Sequence, residues 1–276
     1  MQHNTGSFKS SDGFNLHTEA WLPDGNVRAV VLISHGVAEH IGRYAHVAER
    51  LVADGNAVYG LDHRGHGKSD GVRAYFDDLN DPVNDLKQYL DQIKAAQPGK
   101  KIFLYGHSLG SLIALLFTLR YQSELAGLMS SGTPLEVEAS QPKALITAAG
   151  IFNKVIPRTA ITPLPPFYIS SDPAEVKAYE TDSLVYQGNV RVRVGYQIVE
   201  NSRMVKARLP EIKLPLLAFH GGADKICPPV GSEVLYREAG SNDKTLKIYP
   251  DMYHETHNEV NKKQVLDDIA AWLLAH

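Results

Sequence analysis

Five short runs of the chain are apolar almost throughout rather than at every second position. They are Ala29-Val30-Val31-Leu32-Ile33, Ala57-Val58-Tyr59-Gly60-Leu61, Ile102 to Tyr105, Leu125 to Met129 and Leu216-Leu217-Ala218-Phe219-His220. This is the pattern of strands buried on both faces of a parallel sheet. Thr245 to Tyr249 predicts a further strand. Phe14 to Trp21 instead alternates polar and apolar residues, as a half-exposed edge strand does, and Pro23-Asp24-Gly25-Asn26 supplies turn chemistry after it. With Ser7 to Lys9 it predicts an antiparallel edge hairpin. Helical periodicity fills most of the intervals, over Tyr44–Asp54, Pro82–Ala96, Leu109–Tyr121, Val230–Ala239 and Asn258–Ala275. Alternating strands and helices imply an α/β fold, a mostly parallel sheet flanked by helices, with binding at the carboxyl ends of its strands.

One interval breaks the alternation. Between about Leu135 and Leu209 the chain is far longer than a crossover needs, and a segment of that length has structure and work of its own. It reads as an inserted lid, or cap, between the sixth and seventh strands. Residues 1–134 and 210–276 then form the core domain and 135–209 the insertion. Within it, Ala144 to Ile156 predicts an apolar helix stopped by Pro157; Pro163, Pro165 and Pro166 force irregular chain, and a second helix is expected from Asn189 to Val205.

Composition narrows the function. Hydrophobic residues at 43%, charged residues at 21% and a formal net charge of -3 describe a soluble globular protein without the basic excess of a nucleic-acid binder. The single cysteine, Cys227, excludes an internal disulfide, and the first residues lack the pattern of a signal peptide, so a cytoplasmic protein is expected. No stretch approaches the roughly 20 apolar residues of a membrane span, which leaves only peripheral membrane contact.

The chemistry centres on Gly106-His107-Ser108-Leu109-Gly110, placed between an apolar strand and an apolar helix. The pentapeptide alone carries little weight. Its strand-turn-helix setting is that of a nucleophile elbow, a sharp turn that projects a serine hydroxyl toward a base. In such a fold the partners follow in the order Asp, His. Asp224 falls in the loop after the strand ending at His220, and His254 in Pro250-Asp251-Met252-Tyr253-His254-Glu255-Thr256-His257, after the last strand. Asp251 precedes the histidine too closely to serve it. Spacing favours His254 over His257 as the base but does not separate the two. Ser34-His35-Gly36-Val37-Ala38-Glu39-His40 follows the first buried strand, where backbone N–H groups of Val37 and Leu109 would form an oxyanion hole.

Other motifs fail as sites. Asp62-His63-Arg64-Gly65-His66-Gly67-Lys68-Ser69 ends like a phosphate loop but has Asp62 where glycine is required, and is expected to be a tight loop braced by Asp62 and Arg64. His254-Glu255-Thr256-His257 lacks the second histidine of a zinc helix, so no metal and no cofactor are expected. Cys227 reads as a small buried apolar residue near the site.

Beyond the elbow, the chain resembles the monoacylglycerol lipase family of serine hydrolases. The resemblance rests on Ser34-His35-Gly36-x-x-Glu39-His40-x-Gly42-Arg43-Tyr44, Asp62-His63-x-Gly65-His66-Gly67-x-Ser69, the elbow, Val176-x-x-Tyr179-x-x-Asp182-x-Leu184, Gly222-Ala223-Asp224 and Tyr253-His254-x-x-His257. It spans nearly the whole chain. It implies the α/β-hydrolase fold, with an eight-stranded sheet, and a triad of Ser108, Asp224 and His254 cleaving monoacylglycerol to glycerol and fatty acid through an acyl-enzyme. It also implies that Glu39, Arg43, Tyr179 and His257 bind the glycerol end, and that the apolar lid helix borders an acyl tunnel and touches a membrane. Lysophospholipase or general short-chain esterase activity would use the same triad. Two departures stand out: Val37-Ala38 occupies a turn where relatives carry smaller residues, and the lid is the least similar part.

Overall fold

The fully apolar runs become the centre of the sheet because only there are both faces of a strand covered. In the computed structural model, which describes residues 1–137 and 150–276, these are β3 (Val30–Ser34), β4 (Ala57–Leu61), β5 (Ile102–His107), β6 (Gly127–Ser131) and β9 (Leu216–Gly221), every residue of them buried. With β1 (Gln2–Lys9), β2 (Asn15–Leu22) and β10 (Lys244–Tyr249) they form an eight-stranded sheet of order β1-β2-β4-β3-β5-β6-β9-β10. β1 and β2 pair antiparallel over their full length, β2 meets β4 antiparallel, and every other pairing is parallel. The edge hairpin is longer than the Ser7–Lys9 segment expected from sequence, because pairing carries the polar residues from Gln2 onward into the ladder.

The period of two along β5 divides the core. Ile102 and Leu104 pack with Leu86, Leu112 and Leu235 on one face; Phe103 and Tyr105 pack with Leu51, Ile269 and Leu273 on the other. The first face is covered by α2 (Asn80–Ala96), α3 (Leu109–Tyr121) and residues of the helix Val230–Glu238, the second by α1 (Ala45–Ala53) and the helix Lys262–Ala275. The chain leaves β3 for β4 on one side and returns to β5 on the other, so the carboxyl ends of β3 and β5 flank a switch point where such sheets bind ligands.

Between β6 and β9 lie a two-stranded ribbon, β7 (Ala160–Thr162) with β8 (Val190–Arg191), and the helices α4 (Pro173–Thr181) and α5 (Val192–Arg208). α5 starts three residues later than its periodicity suggests, because Val190 and Arg191 are drawn into pairing with β7. Of the helix expected over 144–156, residues 144–149 lie outside the described residues, and 150–155 are helical. The excursion is tied to the core at two loops that matter below: Tyr186 N donates to Ala38 O at 2.8 Å, and Glu255 N to Ile169 O at 2.7 Å. The last helix, α7 (Lys262–Ala275), follows a short 3-10 turn at Thr256–Asn258 instead of beginning there; α6 is Val230–Glu238.

Candidate active site

Ser108 joins β5 to α3 with φ 53° and ψ -121°, a conformation that costs a non-glycine residue about 1–3 kcal/mol and must be enforced by its surroundings. The enforcement is visible on both sides. Ser108 N donates to Ser131 O on β6 at 2.8 Å. A Cβ on Gly106 would lie 2.4 Å from Gly110 O, and one on Gly110 only 2.0 Å from Ser34 O, so any other residue would push the elbow off β3. Leu109 is the first residue of α3, and its N–H therefore has no acceptor within the helix.

The turn after β3 is fixed by side chains turning back on it. His63 N donates to His35 Nε2 at 2.9 Å, which leaves the proton on Nδ1 to be given to Gly36 O at 2.8 Å. The Glu39 carboxylate accepts from Gly36 N at 2.6 Å and Tyr44 OH at 2.8 Å on Oε1, and from Arg43 on Oε2. Arg43 in turn grips both oxygens of Glu255, at 2.6 and 2.7 Å. Burial and the nearby Glu255 charge raise the pKa of Glu39. Burial alone would do the same to Glu255, but the Arg43 guanidinium outweighs it and holds that carboxyl low. Val37, the residue after Gly36, is thereby presented to the cleft with Ala38 at φ 70° beyond it.

Asp224 and His254 come from the loops after β9 and β10. The loops meet closely: a Cβ on Gly221 would fall 1.9 Å from Tyr253 O. Asp224 Oδ1 accepts from Ile226 N at 2.7 Å and Cys227 N at 3.0 Å, and Oδ2 lies 2.6 Å from His254 Nδ1. Burial would raise the Asp224 pKa, but the two histidines beside it, His254 and His220, bring it far below the carboxylate range. For His254, burial pulls the pKa down, and the Asp224 charge with its hydrogen bond reverses that, leaving it raised. Asp224, His254 and Ser108 are all buried, and Ser108 and His254 share the wall of one cleft.

That cleft is narrow and is lined by Ser108, His254, Val37, Glu39, Tyr179 and Glu255 among others. The expected residues therefore divide. Ser108, His254, Val37, Glu39 and Tyr179 border the cleft, whereas Leu109, Asp224, Arg43 and His257 are absent from its lining. Arg43 is paired with both Glu39 and Glu255 and lies under the Tyr179 ring, 4.8 Å from its centroid. His257 is fully buried, stacked on Tyr44 with ring centroids 4.8 Å apart and Nδ1 3.4 Å from Tyr105 OH. The two histidines that spacing could not separate are thus separated by place.

Three residues here escaped sequence reasoning. His220 Nε2 lies 2.9 Å from Asp224 Oδ2; ending a buried strand, it read as core. Glu255 follows His254 directly but finds its partner Arg43 from 212 residues away in sequence. His107, between Gly106 and Ser108, has its ring 4.8 Å from that of His254 and 4.9 Å from that of His257. One ligand atom each of Glu39, His107 and Glu255 lie within 4.8 Å of one another, a spacing that would suit a cation. Arg43, bonded to both carboxylates, supplies the positive charge there instead. Asp62 and Arg64 act separately: Asp62 caps Ile41 N and Lys68 N, and Arg64 binds Asp85 and Asp12. Cys227 is buried as expected, its thiol pKa raised by burial and by Asp224.

Comparison with known proteins places the whole arrangement. The family described as serine aminopeptidase, S33, matches residues 25–261. A monoacylglycerol lipase of Mycolicibacterium smegmatis is 34% identical, covering 98% of this chain and 96% of its own. The human monoglyceride lipase is 33% identical, covering 96% and 88%. The crystal structure of a monoacylglycerol lipase from Paleococcus ferrophilus superposes over 100% of both chains with a TM-score of 0.81 at 27% identity. With the strand-turn-helix elbow and the eight-stranded sheet in place, the chain belongs to the monoacylglycerol lipase family of α/β-hydrolases.

Proposed function

We propose that the protein hydrolyses monoacylglycerol to glycerol and a free fatty acid through an acyl-enzyme on Ser108. The observation that carries this reading is the 2.6 Å bond from His254 to Asp224 beside a serine held in a strained elbow. Asp224 accepts a hydrogen bond from His254 Nδ1–H, leaving Nε2 free as the base. His254 removes the Ser108 hydroxyl proton as Oγ attacks the ester carbonyl. The N–H groups of Val37 and Leu109 receive the oxyanion of the tetrahedral intermediate. His254 returns the proton to the departing glycerol oxygen, the acyl group remains on Oγ, and a water deprotonated by the same histidine releases the acid.

The head-group preference follows from charge. Glu39 and Glu255 line the cleft, and among its described lining residues there is no lysine or arginine. A phosphodiester has no cation to meet there, whereas the hydroxyls of glycerol can donate to Glu39 and bond Tyr179 OH. Arg43 and His257 act from behind, through Glu39 and the histidine cluster. A panel of monoacylglycerol, lysophospholipid and nitrophenyl esters tests the choice. The reading requires the highest kcat/KM for monoacylglycerol; preference for the lysophospholipid would replace it.

Residues 135–209 act in this reading as a cap over the cleft, to which they contribute Leu164, Ile169 and Tyr179. Ile151, Val155, Ile161 and Phe167 are apolar and strongly exposed on it. Among the described residues no helix is long and apolar enough to cross a membrane. The exposed residues suit shallow contact with a lipid surface, where substrate resides. Liposome flotation tests this part alone.

A further inference from the structure

We propose that His220 is a positioning residue for the reaction: it shares Asp224 Oδ2 with His254 and thereby both orients the acid and limits how strongly it holds the His254 proton. The inference rests on the reading of Ser108, His254 and Asp224 as the catalytic group. Nε2 of His220 lies 2.9 Å from Asp224 Oδ2 and 3.0 Å from Cys227 O. Both are acceptors, so Nε2 carries a hydrogen and points it between them. The side chain has no exposure at all, so its bond to Asp224 is protected from competing water.

Nor does the contact end at His220. Ser232 Oγ lies 2.7 Å from its Nδ1 and 3.2 Å from Thr133 Oγ1, which is 2.7 Å from Ser130 Oγ, itself 2.9 Å from Ser111 Oγ. Ser111 is on α3, three residues beyond Ser108. A buried polar path therefore links the helix that carries the nucleophile to the acid on the far side of the base. All the residues along it are buried, and none of them lines the cleft.

The consequence is electrostatic. Oδ1 of Asp224 is held by two backbone N–H groups, and Oδ2 by two imidazoles. Each donor spreads the carboxylate charge, so removing His220 concentrates it on the bond to His254 and favours the imidazolium. The other groups facing His254 stay in place: Glu255 and Glu39, whose charges favour its protonation, and the His107 and His257 imidazoles, which burial keeps neutral. Among the described residues, the polar partners of His220 itself are Asp224, the Cys227 carbonyl and Ser232.

The test is the pH dependence of kcat/KM for a short-chain nitrophenyl ester in wild type, His220→Leu and His220→Gln, with folding checked by circular dichroism. Loss of one hydrogen bond to a carboxylate should move the acidic limb upward by about half a pH unit or more in His220→Leu. His220→Gln, whose amide can still donate, should keep the wild-type limb, and KM should not change in either. A wild-type limb in folded His220→Leu protein overturns the proposal, whatever happens to the plateau rate. Should that variant not fold, His220→Thr, too short to reach Oδ2 and suited to a strand, takes its place with the same two outcomes. Absence of esterase activity in wild type itself would instead remove the reading of the triad, so the two failures are distinct.

Discussion

At the scale of single residues, the strain at Ser108 and the close approach of Gly110 to Ser34 O leave no room for a methyl group. Gly110→Ala is expected to destabilise the fold by about 3 kcal/mol, read as a lower denaturant midpoint at unchanged slope. Glu39 has a different part from the one its family resemblance implies by itself. Besides facing the cleft, it holds Gly36 N, next to Val37. Glu39→Gln, an isostere that can still accept from Gly36, should lower kcat less than Glu39→Ala, which frees the turn; equal losses would argue for substrate contact alone. Ser108 was legible in sequence because strand, turn and helix write their signals in adjacent positions. Asp224 and His254 were legible because the fold orders them. His220 and Glu255 were not, since their value lies in contacts between distant segments, and the pattern around them is that of any buried strand end or loop.

At the scale of elements, the parallel strands and their helices follow directly from apolar runs and periodicity. What the pattern misplaces are ends set by pairing elsewhere in the chain. Val190 and Arg191 read as the first turn of a helix but are recruited by Ala160–Thr162, a partner that no local window contains. The segment between β6 and β9 was legible as an interval too long for a crossover; its moorings to Ala38 and Glu255 were not. These moorings lie beside the oxyanion turn and the base, so the cap and the chemistry are coupled in this reading. On the cap's outer side, Val155 is 71% exposed and Ile151 63%. The double substitution Ile151→Asp, Val155→Asp should reduce flotation with liposomes while leaving hydrolysis of a water-soluble ester within about twofold. Unchanged flotation would count against membrane contact through this face.

At the scale of the whole molecule, the histidines set the response to acid. Burial pulls His35 and His66 down to about 3, and His63, His107 and His257 well below the ordinary value. Each takes up a proton on unfolding that it refuses when folded. Their contribution to stability is therefore present above about pH 6.5 and is lost as pH falls toward the folded values. His254 works in the opposite sense, since its raised pKa favours the folded state below pH 6.5, but it is one group against several. The melting temperature should fall steeply between about pH 6 and pH 4, before the carboxylates titrate in the unfolded chain. A melting temperature flat across that range would contradict the buried neutral assignment.

The same molecule-wide arrangement converges on one hydroxyl, and the most direct test removes it. Glycerol release from a monoacylglycerol is measured for wild type and for Ser108→Ala, with circular dichroism showing both folded. Removing the nucleophile should cost at least about 10³-fold in kcat. Retention of the wild-type rate by the folded Ser108→Ala protein would contradict the assignment of Ser108 as the nucleophile.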